Sequence, residues 1–211
     1  MGRKAVIIIF VVLLIDQVSK IWIKTNMHLD ESIAVFGDWF FIHFIENPGM
    51  AFGLEFGGQT GKIFLSLFRI VAIVFIGIYL NGLIKKKAHT GLIVSVALVF
   101  AGAAGNIIDS TIYGLIFSES PPLPIVATMF PDGGGYAGIL QGKVVDMLYF
   151  PIIDTNWPEF LGGGRLQFFR PIFNIADSSI TVGMALILIN QKRFFKEEKS
   201  GNQVEAEQNA E

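Results

Sequence analysis

Two aspartates stand out because of what surrounds them. Asp177 follows Phe173-Asn174-Ile175-Ala176 and opens an apolar segment that continues as Met184-Ala185-Leu186-Ile187-Leu188-Ile189. Asp146 lies between Val144-Val145 and Met147-Leu148-Tyr149-Phe150. An ionised side chain at bilayer depth costs about 2.5 to 3.5 kcal/mol even on insertion scales, so such residues pair, face a wet cavity or work. Two carboxyls sharing a site cannot both ionise easily. One keeps a proton while the other takes one from water, which makes an acid and a base. Local pattern also allows quieter roles. Asn174 could cap a helix with Asp177 at its third position, favoured by the helix dipole, and for Asp146, which lies outside the spans, local pattern favours a turn or strand-end acid and names no partner.

Other chemistry is excluded by inventory. The chain of 211 residues has no cysteine, hence no disulfide, thiol nucleophile or cysteine metal site. The three histidines, His28, His43 and His89, are scattered and form neither a zinc helix nor a Ser-His pair. Gly57-Gly58-Gln59-Thr60-Gly61-Lys62 lacks the spacing of a phosphate loop. No metal or cofactor is therefore expected. Net charge is -2 and the basic residues form no stripe, so nucleic acid is not an expected partner.

The elements that must position the acids are membrane helices. Hydrophobic content of 52% and a mean hydropathy of +0.57 indicate a polytopic membrane protein. Spans are predicted at about 5–23, 63–84, 92–109 and 172–190, each near the roughly 20 residues that cross a bilayer core. The first carries Trp22, suited to an interface, and no small-residue cleavage pattern follows it, so it is read as uncleaved. Arg3 and Lys4, the Lys85-Lys86-Lys87 loop, and Lys192, Arg193 and Lys196 then share one side, which the positive-inside rule makes cytoplasmic. Both termini are expected inside and the segments 24–62 and 111–171 outside. Two aromatic-rich pieces before Asn47-Pro48-Gly49 read as short strands lying against the bilayer surface. The Pro- and Gly-rich 111–171 reads mostly as loop, and 197–211 as a disordered acidic tail.

In this register each span carries polar residues near its outer end: Asp16 and Lys20, then Arg69, then Asn106 and Asp109, then Asn174 and Asp177. A shared site at the outer leaflet is one reading. Another is structural: Asp16 and Lys20 lie one turn apart and could form an ion pair, Arg69 could be a counter-ion, and Asn106 and Asp109 could be interhelical hydrogen-bonders. Gly102-Ala103-Ala104-Gly105 is a small-residue run that lets helices approach closely.

Taken together, Asp16-Gln17-Val18-Ser19-Lys20, Asn47-Pro48-Gly49-Met50-Ala51-Phe52-Gly53, Gly105-Asn106-Ile107-Ile108-Asp109, Val144-Val145-Asp146 and Phe173-Asn174-Ile175-Ala176-Asp177-Ser178 resemble, in order, the motifs of the bacterial lipoprotein signal peptidase (signal peptidase II) family. The resemblance implies a mainly α membrane fold of four helices with a small extracytoplasmic β-sheet cradle, built here from about 33–53 and forming one domain over 1–196. It implies an intramembrane aspartyl peptidase of the plasma (inner) membrane with Asp146 and Asp177 as its catalytic pair. The substrates would be diacylglyceryl-modified prolipoproteins, cut just before the lipid-bearing cysteine, with membrane lipid as surroundings and a monomer expected. Asn47, Gly49, Ala51 and Phe52 would position substrate, while Asp16, Lys20, Arg69, Asn106, Asp109, Asn174 and Ala176 would brace the site. Two departures follow. Ser110 stands where an arginine normally follows the Asp109 position, so Arg69 or Arg170 is expected to compensate, and an insert of about 114–142 lengthens the link to Val144. A serine nucleophile at Ser178 or Ser179, or a non-enzymatic transporter using the same polar cluster, are the competing readings.

Overall fold

The computed structural model describes residues 1–48, 58–121, 125–151, 153–156, 163, 165–168 and 171–208. Long helices carry the apolar runs: α1 Gly2–Asn26, α2 Gly58–Lys85, α3 Thr90–Ile108 and α5 Ile175–Gln208. Among the described residues three stretches are long and apolar enough to cross a membrane, Gly2–Asn26, Gly61–Lys85 and Thr90–Ile116. The last runs on from α3 through a π-helical turn, Asp109–Tyr113, and a short helix, α4 Gly114–Ile116. Phe10, Phe64, Phe68, Phe75 and Ile78 point outward, each more than half exposed, as expected of surfaces that meet lipid and not water.

The chain divides into two compact units. One comprises Met1–Asp16, Leu67–Ile107 and Ile175–Glu211. Its core joins Ala5, Leu80, Leu83, Leu92, Ile93, Val96, Ala97 and Phe194. Small residues set the spacing of α3 against α5: a Cβ on Gly102 would run into the Ala176 carbonyl oxygen, and one on Gly183 would lie 2.6 Å from that of Ser95. Ser179 adds a hydrogen bond from its hydroxyl to the Leu98 carbonyl, 2.8 Å.

The other unit comprises Gln17–Ser66 and Ile108–Asn174. It holds a four-stranded antiparallel sheet in the order β1-β2-β3-β6, from β1 Ser32–Phe36, β2 Phe40–Asn47, β3 Val144–Tyr149 and β6 Ile172–Phe173. The cradle is therefore wider than the segment 33–53: strands from far along the chain complete it. A separate two-stranded sheet pairs β4 Ile153–Asn156 with β5 Arg165–Phe168. One end of the larger sheet is an aromatic ladder in which Phe40 stacks on Phe150 at 4.5 Å between ring centroids, flanked by Phe36, Trp39 and Phe173. Beneath it Ile23, Met27, Phe44, Tyr113, Phe117, Val145 and Met147 form the core of this unit.

Several boundaries differ from expectation. Residues 172–173 are strand, so the last helix begins at Ile175, because Ile172 and Phe173 pair with Tyr149 and Leu148. The segment after Asp109, expected as loop, first completes the helix to Ile116. Helix α5 runs without a proline from Ile175 to Gln208.

Gly102→Leu is expected to destabilise the protein by about 1 to 3 kcal/mol through overpacking. Thermal denaturation of the detergent-purified variant checks this, and Gly82→Leu serves as the control because a Cβ at Gly82 meets nothing within 4 Å.

Candidate active site

Four small polar clusters place most of the residues singled out from sequence. The first surrounds Asp109, which is fully buried. The Lys20 ammonium lies 2.8 Å from its Oδ2, the Gln17 amide donates to its Oδ1 at 2.9 Å, and the backbone N–H of Val145 donates to its Oδ2 at 3.3 Å. Tyr113 hydroxyl in turn donates to Gln17 Oε1 at 3.2 Å. Lys20 is thus a cation at Asp109, beside Ser110. Of the two arginines expected to compensate for Ser110, Arg170 lies outside the described residues, and the Arg69 charge acts on Asp177.

The second cluster holds Asp146. It sits on β3 opposite Ile45 and is 3% exposed. Asn174 donates its side-chain amide to Asp146 Oδ1 at 2.7 Å and to the Val145 carbonyl at 3.3 Å, while the Asn47 amide donates to Asp146 Oδ2 at 3.4 Å. One carboxylate is thus held by amides from two separate motifs. Asn47 is the last residue of β2, and β2 is the central neighbour of β3, so the sheet register itself brings Asn47 to Asp146.

The third cluster holds Asp177, the third residue of α5, whose Oδ1 accepts the Asn106 amide at 2.8 Å. Asn106 lies on the last turn of α3. Asn174 stands immediately before α5 and donates its side-chain NH2 to Asp146. In the fourth cluster Asp16, fully buried, accepts the backbone N–H of Ala176 at 2.8 Å. A helix start leaves its first N–H groups without intrahelical partners, and Asp16 from α1 satisfies one of those of α5. A Cβ on Gly105 would lie 2.6 Å from Asp16 Oδ2. Gly49, Ala51 and Phe52 lie outside the described residues.

Sequence reasoning passed over one further network. Lys24, fully buried, pairs with Glu46, and the Ser120 hydroxyl is 2.7 Å from Lys24 Nζ and 2.8 Å from Glu46 Oε1. Lys143 Nζ lies 3.2 Å from Glu46 Oε2, and the Lys143 N–H donates to the Tyr136 hydroxyl at 2.6 Å. Burial pushes the Glu46 carboxyl up, but the charge and hydrogen bond of Lys24, with Lys143 and Ser120, outweigh it and hold the group below its usual value. Burial raises the Tyr136 phenol. Ser120 and Tyr136 belong to the insert, so the insert is wired into the strand that ends at Asn47. A lysine one helical turn beyond Lys20 on the same helix was the available signal.

A family profile described as Signal peptidase (SPase) II matches residues 8–193. The chain is 49% identical over 192 residues to a lipoprotein signal peptidase of Porphyromonas gingivalis, covering 89% of this chain and 82% of that one. It is 34% identical over 183 residues to one of Amoebophilus asiaticus, covering 84% and 73%. Among solved structures, a bacterial membrane enzyme determined by the in meso method at 2.3 Å resolution superimposes with a TM-score of 0.58 at 28% identity, covering 90% of this chain and 88% of that one.

Two outcomes test the clusters. Lys20→Met leaves Asp109 buried without its ammonium and is expected to cost about 3 to 5 kcal/mol, read as a fall in the denaturation midpoint that Lys20→Met/Asp109→Asn partly restores. Glu46, with its folded-state value depressed, contributes stability above its ordinary unfolded value and loses it as pH falls through the folded one. Acid denaturation curves should accordingly be steeper for the wild type than for Glu46→Gln.

Proposed function

We propose, because the chain belongs to the signal peptidase II family, that Asp146 and Asp177 are its catalytic pair and that it cuts diacylglyceryl-modified precursors just before the lipid-bearing cysteine. The broader activity follows from the family: the protein is a multi-pass membrane aspartic peptidase that removes signal peptides from prolipoproteins. The observation that carries the finer reading is that an asparagine from a different motif holds each acid, Asn174 on Asp146 and Asn106 on Asp177. Asn174 also directly precedes the helix that bears Asp177.

In this mechanism the ionised aspartate takes a proton from water as the oxygen attacks the scissile carbonyl carbon. The protonated partner donates to the carbonyl oxygen. Collapse of the tetrahedral adduct breaks the C–N bond as a proton passes to the leaving amine, and the pair returns to its starting state. A coupled pair titrates as a unit, so no starting base is assigned. Asn47 and the Gly49-Met50-Ala51-Phe52 stretch hold the peptide extended beside the sheet, since a helical peptide hides its carbonyls from attack.

Topology belongs to the same reading. Alpha-helix α5 is the fourth span, supported by the outward-facing Val182, Met184, Leu188 and Ile189. Arg3, Lys4, Lys85, Lys86, Lys87, Lys192 and Arg193 mark the cytoplasmic side of the plasma (inner) membrane. The acids then act at the outer leaflet, in a protein that works as a monomer.

Purified Asp146→Asn and Asp177→Asn proteins should each cleave a lipid-modified precursor at least ~10²–10⁴-fold more slowly than wild type, the usual contribution of acid–base groups. Ser178→Ala and Ser179→Ala should retain cleavage, Ser179 being engaged with the Leu98 carbonyl. Wild-type rates from either aspartate variant would exclude this site.

A further inference from the structure

The insert leaves α4 at Ile116 and returns to β3 at Val144. Its return leg, Ile139 to Gly142, has no regular secondary structure, yet its backbone is tied to residues inside two of the apolar stretches long enough to cross a membrane. Ser66 donates its hydroxyl to the Leu140 carbonyl at 3.2 Å, and Lys62 its ammonium to the Gln141 carbonyl at 2.6 Å. Both donors lie in the stretch Gly61–Lys85. The Gly142 N–H donates to the Ser110 carbonyl at 2.8 Å, and Ser110 lies in the stretch Thr90–Ile116.

These bonds are what irregular backbone needs in lipid. Within the hydrocarbon region a non-helical segment survives only where its N–H and C=O groups are satisfied by protein. The π-helical turn at Asp109–Tyr113 provides the seat, and a Cβ at Gly142 would collide with the Asp109 carbonyl oxygen, so the leg lies directly on that turn. Leu140 is held at φ 65°, a strained conformation for a branched side chain that persists where surrounding bonds enforce it. Ile139, next to it, is 62% exposed. Phe64, on the same stretch as the Ser66 that holds Leu140, is 72% exposed, and an exposed isoleucine tied to such a stretch is placed for acyl chains and not for water.

We propose that Ile139–Gln141 is a re-entrant membrane segment whose partner is the acyl-chain region of the bilayer, with Ile139 in direct contact with lipid. The insert is on this view anchored in the membrane at its return leg and is not a lid swinging freely in water. The proposal rests on the membrane reading of α2 and α3 and not on the identity of the catalytic pair.

The chain has no cysteine, which makes single-site spin labelling direct. The test uses Ile139→Cys in the full-length protein, nitroxide-labelled and reconstituted in phosphatidylcholine vesicles, with relaxation by oxygen compared with relaxation by a water-soluble nickel chelate. Val71→Cys, at a 54% exposed position within α2, is the lipid reference, and Asp132→Cys, at the exposed tip of the insert, is the water reference. The oxygen-to-nickel ratio at residue 139 should shift to the Val71 value. A ratio matching Asp132 overturns the proposal. A water-like Val71 would instead overturn the membrane placement of α2, so the two failures are distinguishable. If the Ile139 variant does not fold, Gly138→Cys takes its place, because a Cβ there meets nothing closer than 3.6 Å.

Discussion

A carboxylate taken out of water must be given donors, and in an apolar bundle those donors have to come from the protein. Asp109 shows how much structure one such requirement organises. Its oxygens are met by Lys20 and Gln17 from α1 and by the Val145 N–H of β3. Helix α3 opens into a π turn at the same residue, and the Ser110 carbonyl beside it accepts the Gly142 N–H. A helix, a strand and a loop return are thus referred to one buried acid. The strand residue after Val145 is Asp146, so the position of the acid in the sheet follows from the satisfaction of a different one.

The acids of these clusters meet different donors. Asp109 and Glu46 face ammonium groups, Lys20 and Lys24, and for Glu46 that charge outweighs burial and favours the ionised carboxylate. Asp146 accepts the amides of Asn174 and Asn47, and the half-buried Asp177 accepts that of Asn106 and also feels the charge of Arg69. An amide carries both a donor and an acceptor. It can therefore hold a carboxyl in place whether or not that group carries a proton.

Much of this was legible in the sequence. The apolar runs announced α1, α2 and α3, and short-range pattern located β1 and β2, whereas the segment that forms β3 lay in a region read mostly as loop. What such pattern could not supply was partnership across long separations. Asp16 and Lys20, one turn apart, read locally as an ion pair, and nothing in that spacing showed that Asp16 would also meet the start of α5 at Ala176 or that Lys20 would reach Asp109. Asn174 reads as a helix cap because cap preference is local, and the donation of its NH2 to Asp146 on a strand 28 residues earlier could not be read from that pattern. The Lys24–Glu46–Ser120 network was invisible because a lysine at the end of a helix normally reaches water, and only the fold of the insert closes over it.

The insert raises the question of how a long excursion between Asp109 and Val144 leaves the site undisturbed. Its two ends are clamped together. Ser110 and Gly142 are joined by a backbone hydrogen bond of 2.8 Å, and Asp109 reaches past them to the Val145 N–H at 3.3 Å. Closing a loop costs entropy that grows only logarithmically with its length, so many residues can be added between fixed ends at small expense. The added residues are not idle, since Ser120 and Tyr136 complete the surroundings of Glu46 and Lys143. Glu46 immediately precedes Asn47 on β2 and pairs in register with Val145, one residue before Asp146. The excursion therefore leaves from one side of the acid and stiffens the strand on its other side. A length change that sequence alone presents as a departure from the family pattern becomes a second support for the same carboxylate.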